Sequence, residues 1–338
     1  MDTPTNTQPI LSAENLSIGY PQKKAPSKVL SENLQLKIAP GELVCLLGPN
    51  GAGKSTLIRT LAGMQPPLSG NINLAGSDLS KLSPKEKARL TSIVLTESTS
   101  LGLMQVHSLV ALGRHPHTSW SGSLSARDRE RIHWALTAVD ALTLAKRFVS
   151  ELSDGERQKA MIARALAQEA PFMVLDEPTA FLDLPRRVEL LRILRELAHQ
   201  ENLAILLSTH DLDLALRSAD RLWLFDSRGR FTQGPPEALA LEGEIAHAFA
   251  NDKLDWDADT GSFRLHRSPN KSAKLTGQGP AYTWTKRLLS RLGYDTESET
   301  QNPKLDIQIE NQTWTLTEHK TQHTFTSLSE LTMFLSHK

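Results

Sequence analysis

A single cysteine, Cys45, leaves the chain without an internal disulfide framework. Cys45 sits inside an apolar run and reads as a buried, inert thiol. No apolar run reaches about 18 residues, which excludes a membrane-spanning helix. An excess of charge is also missing. Lys+Arg and Asp+Glu stand at 38 each, so bulk charge argues neither for nucleic acid nor for an anionic membrane surface. The opening stretch, MDTPTNTQPI, lacks the basic start and apolar core of a secretory signal, and the chain is expected in the cytoplasm. Internal repeats and sustained heptads are absent. What is present is a chain of 338 residues with ordinary hydrophobic and charged content, long enough for one large and one small domain.

Gly48-Pro49-Asn50-Gly51-Ala52-Gly53-Lys54-Ser55-Thr56 is the stretch around which the chain is organised. The apolar run Leu43-Val44-Cys45-Leu46-Leu47 before it reads as a buried strand, and residues 57–63 after it read as a helix closed by Gly63. Strand, glycine-rich turn and helix form the context that a P-loop requires. Gly48, Gly51 and Gly53 let the backbone curl so that successive N–H groups face phosphate oxygens. The helix start near Lys54 adds its positive dipole end. Lys54 is placed for the β- and γ-phosphates, and Ser55 offers a hydroxyl to Mg²⁺. The complete pattern outweighs the alternative, a glycine-rich turn that binds nothing, and predicts a nucleoside triphosphate site.

Short alternating segments over residues 11–38 predict an antiparallel sheet beside the P-loop strand, with Tyr20 at a strand end. Tyr20 reads either as an aromatic that stacks on a nucleobase or as half-buried packing. Residues 70–76 read as an edge strand, Ser83-Pro84-Lys85-Glu86 as a capped helix start, and residues 91–96 as a strand followed by Glu97. From residue 103 to about 150 the pattern turns helical, with Ser125 capping a helix that buries Ile132, Ala135, Leu136 and Val139. Residues 172–175 and 203–207 read as central parallel strands, separated by a helix over about 185–199. The alternation from 43 to 226 implies a parallel sheet with helices on its faces. The breaker-rich stretch 256–279 reads as a linker, and 280–338 as a small α-β-β-α unit.

Asp176, at the tip of an apolar strand, fits the carboxylate that holds Mg²⁺ in a P-loop site, and Glu177 fits a group that positions or polarises the attacking water. His210 lies at the end of a further strand, where it is placed to contact a γ-phosphate. With these residues in order, the chain resembles the nucleotide-binding subunit of an ATP-binding cassette (ABC) transporter over residues 11 to about 250. Tyr20 matches the adenine-stacking A-loop, residues 48–56 the Walker A motif, and residues 152–156 the signature. Asp176 and Glu177 match Walker B, Leu182-Asp183 the D-loop, and His210 the switch histidine.

The resemblance implies an α/β fold: a P-loop ABC ATPase core with an antiparallel β subdomain and a helical subdomain at about 98–168, filling residues 1–255, with the small C-terminal α+β unit outside it. It also implies ATP and Mg²⁺ as ligands, with Ser55, Glu97 and Asp176 toward the metal. Two copies would face head to tail, with Ser153, Gly155, Glu156 and Asp183 of one completing the ATP site of the other. The implied partners are an integral membrane permease at the inner face of the cell membrane and, indirectly, a substrate-binding protein. No nucleic acid is expected. Ser153 and Glu156 also fit a capping box, and both roles are compatible if phosphate replaces the cap on closure.

Two departures stand out. The family signature LSGGQ reads LSDGE here, so Asp154 adds negative charge near ATP, and Glu97 stands where the family usually has Gln. Val110-Ala111-Leu112-Gly113-Arg114-His115-Pro116 is similar to a run in importers of iron-siderophore, haem and cobalamin that faces the permease. His115 and His117 read as solvated loop residues rather than a metal site. In the C-terminal unit, Trp284, Lys286, Arg287 and Trp314 read either as a partner surface or as the core of a small domain.

Other readings stay open. A cassette ATPase without a permease would act in translation, repair or cluster assembly, although only one P-loop and no coiled coil are present. A scaffold that binds ATP without turnover is opposed by intact Lys54, Asp176, Glu177 and His210. An exporter would usually carry its membrane span in the same chain. A carboxylate still ligates Mg²⁺, as a harder and charged ligand. Glu97→Gln is therefore expected to keep ATP binding and to change the coupling of hydrolysis to transport, read as the transport-stimulated ATPase rate. An unaltered rate would remove any special role for Glu97.

Overall fold

Alternating apolar and polar positions fold residues 11–38 into two antiparallel strands, β1 (Leu11–Tyr20) and β2 (Lys28–Ile38). The computed structural model describes residues 8–21, 27–95, 102–119, 122–249, 254–257, 261–265, 271–296, 304–318 and 321–336. They divide into two units, Met1–Ala250 with Trp256–Ser262, and Asn251–Asp255 with Phe263–Lys338. The all-apolar β3 (Leu43–Leu47) is buried at every position, and α1 (Lys54–Leu61) follows it across the glycine-rich turn. β4 (Ser69–Leu74) and β5 (Ser77–Asp78) complete an antiparallel sheet of order β2-β1-β4-β5. β4 pairs on both sides, so the edge position expected for it falls to β5 instead. Leu16, Ile18, Leu36 and Ile72 of this sheet share one core with Val44 and Leu46 of β3.

Ser83 caps α2 (Pro84–Leu90) through the predicted box, with the Ser83 N–H donating to Glu86 Oε2 at 2.8 Å. After β6 (Thr91–Val94) comes the helical insertion: α3 (Val106–Leu112), α4 (Ala126–Ala138) and α5 (Asp154–Ala167). The chain then runs through β7 (Phe172–Asp176), α6 (Leu184–Glu201), β8 (Ala204–Ser208), α7 (Leu212–Ser218), β9 (Arg221–Phe225) and β10 (Phe231–Gly234). Two short helices follow, α8 (Pro236–Leu241) and α9 (Glu244–Phe249). The second sheet has the order β10-β9-β3-β8-β7-β6, parallel throughout except for the β10–β9 pair. β7 and β8 are continuous apolar runs because helices cover both faces of such a sheet.

The helical insertion is tied together at its centre by charge. Gly113 closes α3 where a Cβ would lie 2.2 Å from the Arg164 carbonyl oxygen, so only glycine permits α3 and α5 to approach there. Arg114 follows and is 2% exposed. Its Nε donates to Asp128 Oδ1 at 2.8 Å, and its Nη1 to Ala167 O and Glu169 Oε2, each at 2.7 Å. Within the run expected to face a permease, Arg114 is thus interior and His115 exposed, as is His117 just beyond the run.

The second unit is richer in strands than expected. β11 (Leu254–Asp257) and β12 (Ser262–Leu265), each divided between the two units, pair as a two-stranded ribbon. They are followed by β13 (Lys271–Thr276), α10 (Gly279–Arg291), β14 (Tyr294–Asp295), β15 (Leu305–Glu310), β16 (Thr313–Glu318), β17 (Thr321–Phe325) and α11 (Leu328–Ser336). β12 and β13 lie inside the stretch 256–279 that reads as a linker. β13 is hidden in the sequence because Ala273 is its only buried residue, yet it pairs in parallel with β15. The α-β-β-α order is therefore incomplete, lacking β13, β14 and β17. Trp314 is buried, with its Nε1 donating to Thr285 Oγ1 at 2.7 Å. Trp284 is 57% exposed and carries the Arg287 guanidinium 4.9 Å from its ring centre. One tryptophan belongs to the core, the other to the surface.

The hydroxyl of Ser125 and then the guanidinium of Arg114 hold the Asp128 carboxyl down to about 2, from an ordinary 3.8. A depressed carboxylate stabilises the fold above its unfolded pKa and loses that contribution as pH falls through its folded one. Asp128→Ala is expected to cost about 3 kcal/mol in urea unfolding at pH 7, since it strips a buried guanidinium of a partner. The gap to the parent should narrow as pH drops from 3.8 toward about 2.

Candidate active site

Backbone geometry explains the glycines of the turn between β3 and α1. Gly48 and Gly53 hold φ at +152° and +106°, and a Cβ on Gly48 would stand 2.8 Å from the Phe225 carbonyl oxygen. Gly53 is also the N-cap of α1 and offers no side chain to it, so no cap occupies the first-turn N–H donors. That arrangement fits phosphate oxygens. Lys54 is buried, and its Nζ donates to Gly48 O at 2.7 Å and Pro49 O at 3.2 Å. Burial lowers its pKa, while the charges of Glu177 and then Asp176 push the other way. Asn50, Gly51 and Ser55 are exposed, with Pro49 and Ala52 half-buried beside them. Tyr20 is 49% exposed, and its hydroxyl lies 2.8 Å from Thr56 Oγ1. The aromatic expected to stack on a base is tethered to the P-loop helix.

The acidic groups come from the end of β7. Asp176 closes that strand, and Glu177 follows with φ at +49°, a left-handed conformation that is rare for a residue with a Cβ. His210 Nε2 stands 2.6 Å from Glu177 Oε1. Lys54, Asp176, Glu177 and His210 are therefore brought together at one edge of the parallel sheet. A residue that sequence reasoning missed lies among them: Ser208, fully buried at the end of β8, contacts both Asp176 and Glu177. Its only signal was a hydroxyl ending an apolar strand.

At the start of α5 the second group of candidates is assembled. Ser153 Oγ accepts from the Glu156 N–H at 3.4 Å, and Glu156 Oε2 accepts from the Ser153 N–H at 2.9 Å, so the capping box is formed. The Ser153 N–H first, then the Ser153 hydroxyl, which donates to Oε2 at 3.0 Å, and nearby Arg147 hold the Glu156 carboxyl below the usual range. Asp154 is exposed, with Arg157 Nη1 at 3.4 Å. In the first turn its charge is favoured by the helix dipole. Gly155 packs under α6, where a Cβ would lie 3.0 Å from Arg186 Cδ. Asp183 caps α6, its Oδ1 accepting from the Arg186 N–H at 3.1 Å. Ser153, Gly155 and Glu156 open on a cleft of about 430 Å³ that no residue of the chain's own P-loop lines.

Glu97 lies outside the described residues. Among the described residues, no group of three or more His, Cys, Asp or Glu could hold a metal ion by itself. His115 and His117 are exposed, and the His117 ring lies 2.8 Å from Gln168 O. Burial first, then the charge of Asp220, pushes the Cys45 thiol up to about 12, as suits an inert group.

A phosphate cradle with an internal lysine, facing strand-end carboxylates across a parallel sheet, defines a P-loop ATPase. Comparison with known proteins narrows the class. The family model described as ABC transporter matches residues 31–180, and that described as iron ABC transporter C-terminal domain matches residues 270–336. An uncharacterized ABC transporter ATP-binding protein of Methanocaldococcus jannaschii is 41% identical over 79% of this chain and 90% of its own length. The ferric enterobactin transport ATP-binding protein of Escherichia coli is 36% identical over 68% of this chain and 83% of its own. Among solved structures, CbiO1 of Clostridium perfringens, part of an ABC transporter complex, superposes with a TM-score of 0.61 at 28% identity, over 70% of this chain and 92% of that one. The chain belongs to the ATP-binding subunits of the ABC transporter family, which are ATPases.

Lys54→Met removes the one lysine of residues 48–56. It is expected to weaken ATP binding about 100-fold in a nucleotide titration, with the thermal midpoint close to that of the parent.

Proposed function

We propose that this chain is the ATP-hydrolysing subunit of an importer, driving a separate membrane permease through ATP-dependent head-to-tail pairing of two copies. The observation that carries the reading is the cleft at Ser153, Gly155 and Glu156, which no residue of the same chain's P-loop lines. A second copy, reversed, supplies the phosphates that this helix start can bind.

In this reading each P-loop cradles one triphosphate through residues 48–56, with Lys54 against the β- and γ-phosphates and Tyr20 against the base. Ser55 and Asp176, with Glu97 from the sequence pattern, would hold Mg²⁺. When bound, the metal neutralises charge on the transferring phosphoryl group. Glu177 orients the attacking water and accepts its proton, and His210 holds the Glu177 carboxylate in place. On closure the Ser153 hydroxyl turns from the cap to the γ-phosphate of the facing copy, and the Gly155 N–H, which the cap does not use, joins it. Asp183, at the start of α6, contributes to the same contact.

The cargo in this reading belongs to the iron-siderophore, haem or cobalamin group. The ferric enterobactin relative and the iron-transporter match over residues 270–336 support it. A substrate-binding protein would deliver the cargo on the far side. The chain itself would work in the cytoplasm, peripheral to the inner face of the membrane. The membrane path belongs to the permease, and among the described residues no helix is long and apolar enough to cross a membrane.

Tagged Glu177→Gln protein, purified from membranes with ATP, tests this directly. Removing the base is expected to trap the paired state and to bring down an integral membrane permease. An ATP-trapped pair with only non-membrane partners would overturn the importer reading in favour of a cassette ATPase without a permease.

A further inference from the structure

We propose that Ser208 is a positioning residue for ATP hydrolysis, a hydroxyl that sets Asp176 and Glu177 in their working orientation from the neighbouring strand. The proposal rests on the roles given above to those two carboxylates. Ser208 is the last residue of β8, fully buried, and its register partners are Asp176 on β7 and Leu46 on β3. A serine hydroxyl carries one donor and two acceptor lone pairs. Here both functions are used on adjacent residues of one motif. Oγ donates to Asp176 Oδ1 at 2.7 Å and accepts from the Glu177 N–H at 2.8 Å.

Those two bonds act on different things. The first fixes the rotation of the Asp176 carboxylate by engaging one named oxygen. The second fixes the backbone of Glu177, whose φ of +49° is costly for a side chain with a Cβ. A strained conformation of this kind persists only where the surroundings over-determine it. Glu177 is held at its N–H by Ser208 and at its carboxylate by His210, the latter at 2.6 Å. Both holders lie within the three residues 208–210, so one strand end grips the proposed base at two points. Apolar residues precede Ser208 along β8, and none of them can supply this bond.

The alternative is a serine that merely satisfies a buried polar strand end. The two differ in what a substitution moves. Supporting groups behind catalytic ligands typically cost about 10- to 100-fold in activity when removed. Ser208→Ala is therefore expected to lower kcat by at least about 10-fold, with ATP affinity by titration, KM and the thermal midpoint near those of the parent. Ser208→Thr, which keeps the hydroxyl, should recover most of the rate. Ser208→Cys fills the same space with a weak donor and should be slow like the alanine variant. It also serves where Ser208→Ala fails to fold. Full kcat in the alanine or cysteine variant would overturn the proposal, as would a threonine variant no faster than alanine. Glu177→Gln is run alongside. If it hydrolyses ATP at the parental rate, the assignment of Glu177 fails. If it is inactive while Ser208→Ala is fully active, only the assignment of Ser208 fails.

Discussion

Everything chemical in the ATPase unit depends on the parallel register of β3, β8 and β7. Leu46 pairs with Ser208, and Ser208 pairs with Asp176, so the strands end at a common edge. Along their length these strands are buried on both faces and carry almost nothing but apolar side chains. Polar groups appear only where the strands stop, which is also where an open α/β sheet leaves a crevice for ligands. The P-loop lysine, the two carboxylates and the histidine arrive there from separate strand ends. A register slip would flip their facing side chains and dissolve the site.

The helical insertion obeys a different constraint, since the two ends of its α5 are held in different ways. Ser153 and Glu156 close the N-terminal end as a local box. Beyond the other end, Ala167 O and Glu169 receive the buried Arg114 guanidinium, which also binds Asp128 on α4. Burying a guanidinium is costly unless its donors are matched, and here carboxylates and a carbonyl match them. One end of α5 is thus closed by a local, part-exposed cap, and the other by buried charged bonds that reach across the insertion.

The second unit keeps a core of its own. Ala273, Leu289, Ile307, Leu316 and Leu331 pack together from β13, α10, β15, β16 and α11. Its match to an iron-transporter C-terminal domain gives it a relationship in sequence. Its single core tryptophan, bonded to Thr285, shows that the aromatics of one small domain divide by face rather than by type.

By itself the sequence determined the nucleotide-binding identity, because a phosphate cradle is a local object. Gly48 to Thr56 must be contiguous to curl around phosphate, and the helix caps at Ser83, Ser125 and Ser153 each need only four neighbouring residues. The apolar runs that become β3, β7 and β8 were legible for the same reason. Tertiary structure decided what depends on residues far apart in the chain. Tyr20 finds Thr56 across 36 positions, and Ser208 reaches Glu177 across 31. Arg114 looked like part of a surface motif but finds its partners on two other segments and goes inside. β13 looked like a linker because a strand with one buried side chain has no periodic signal of its own. Its pairing with β15, not its composition, makes it a strand.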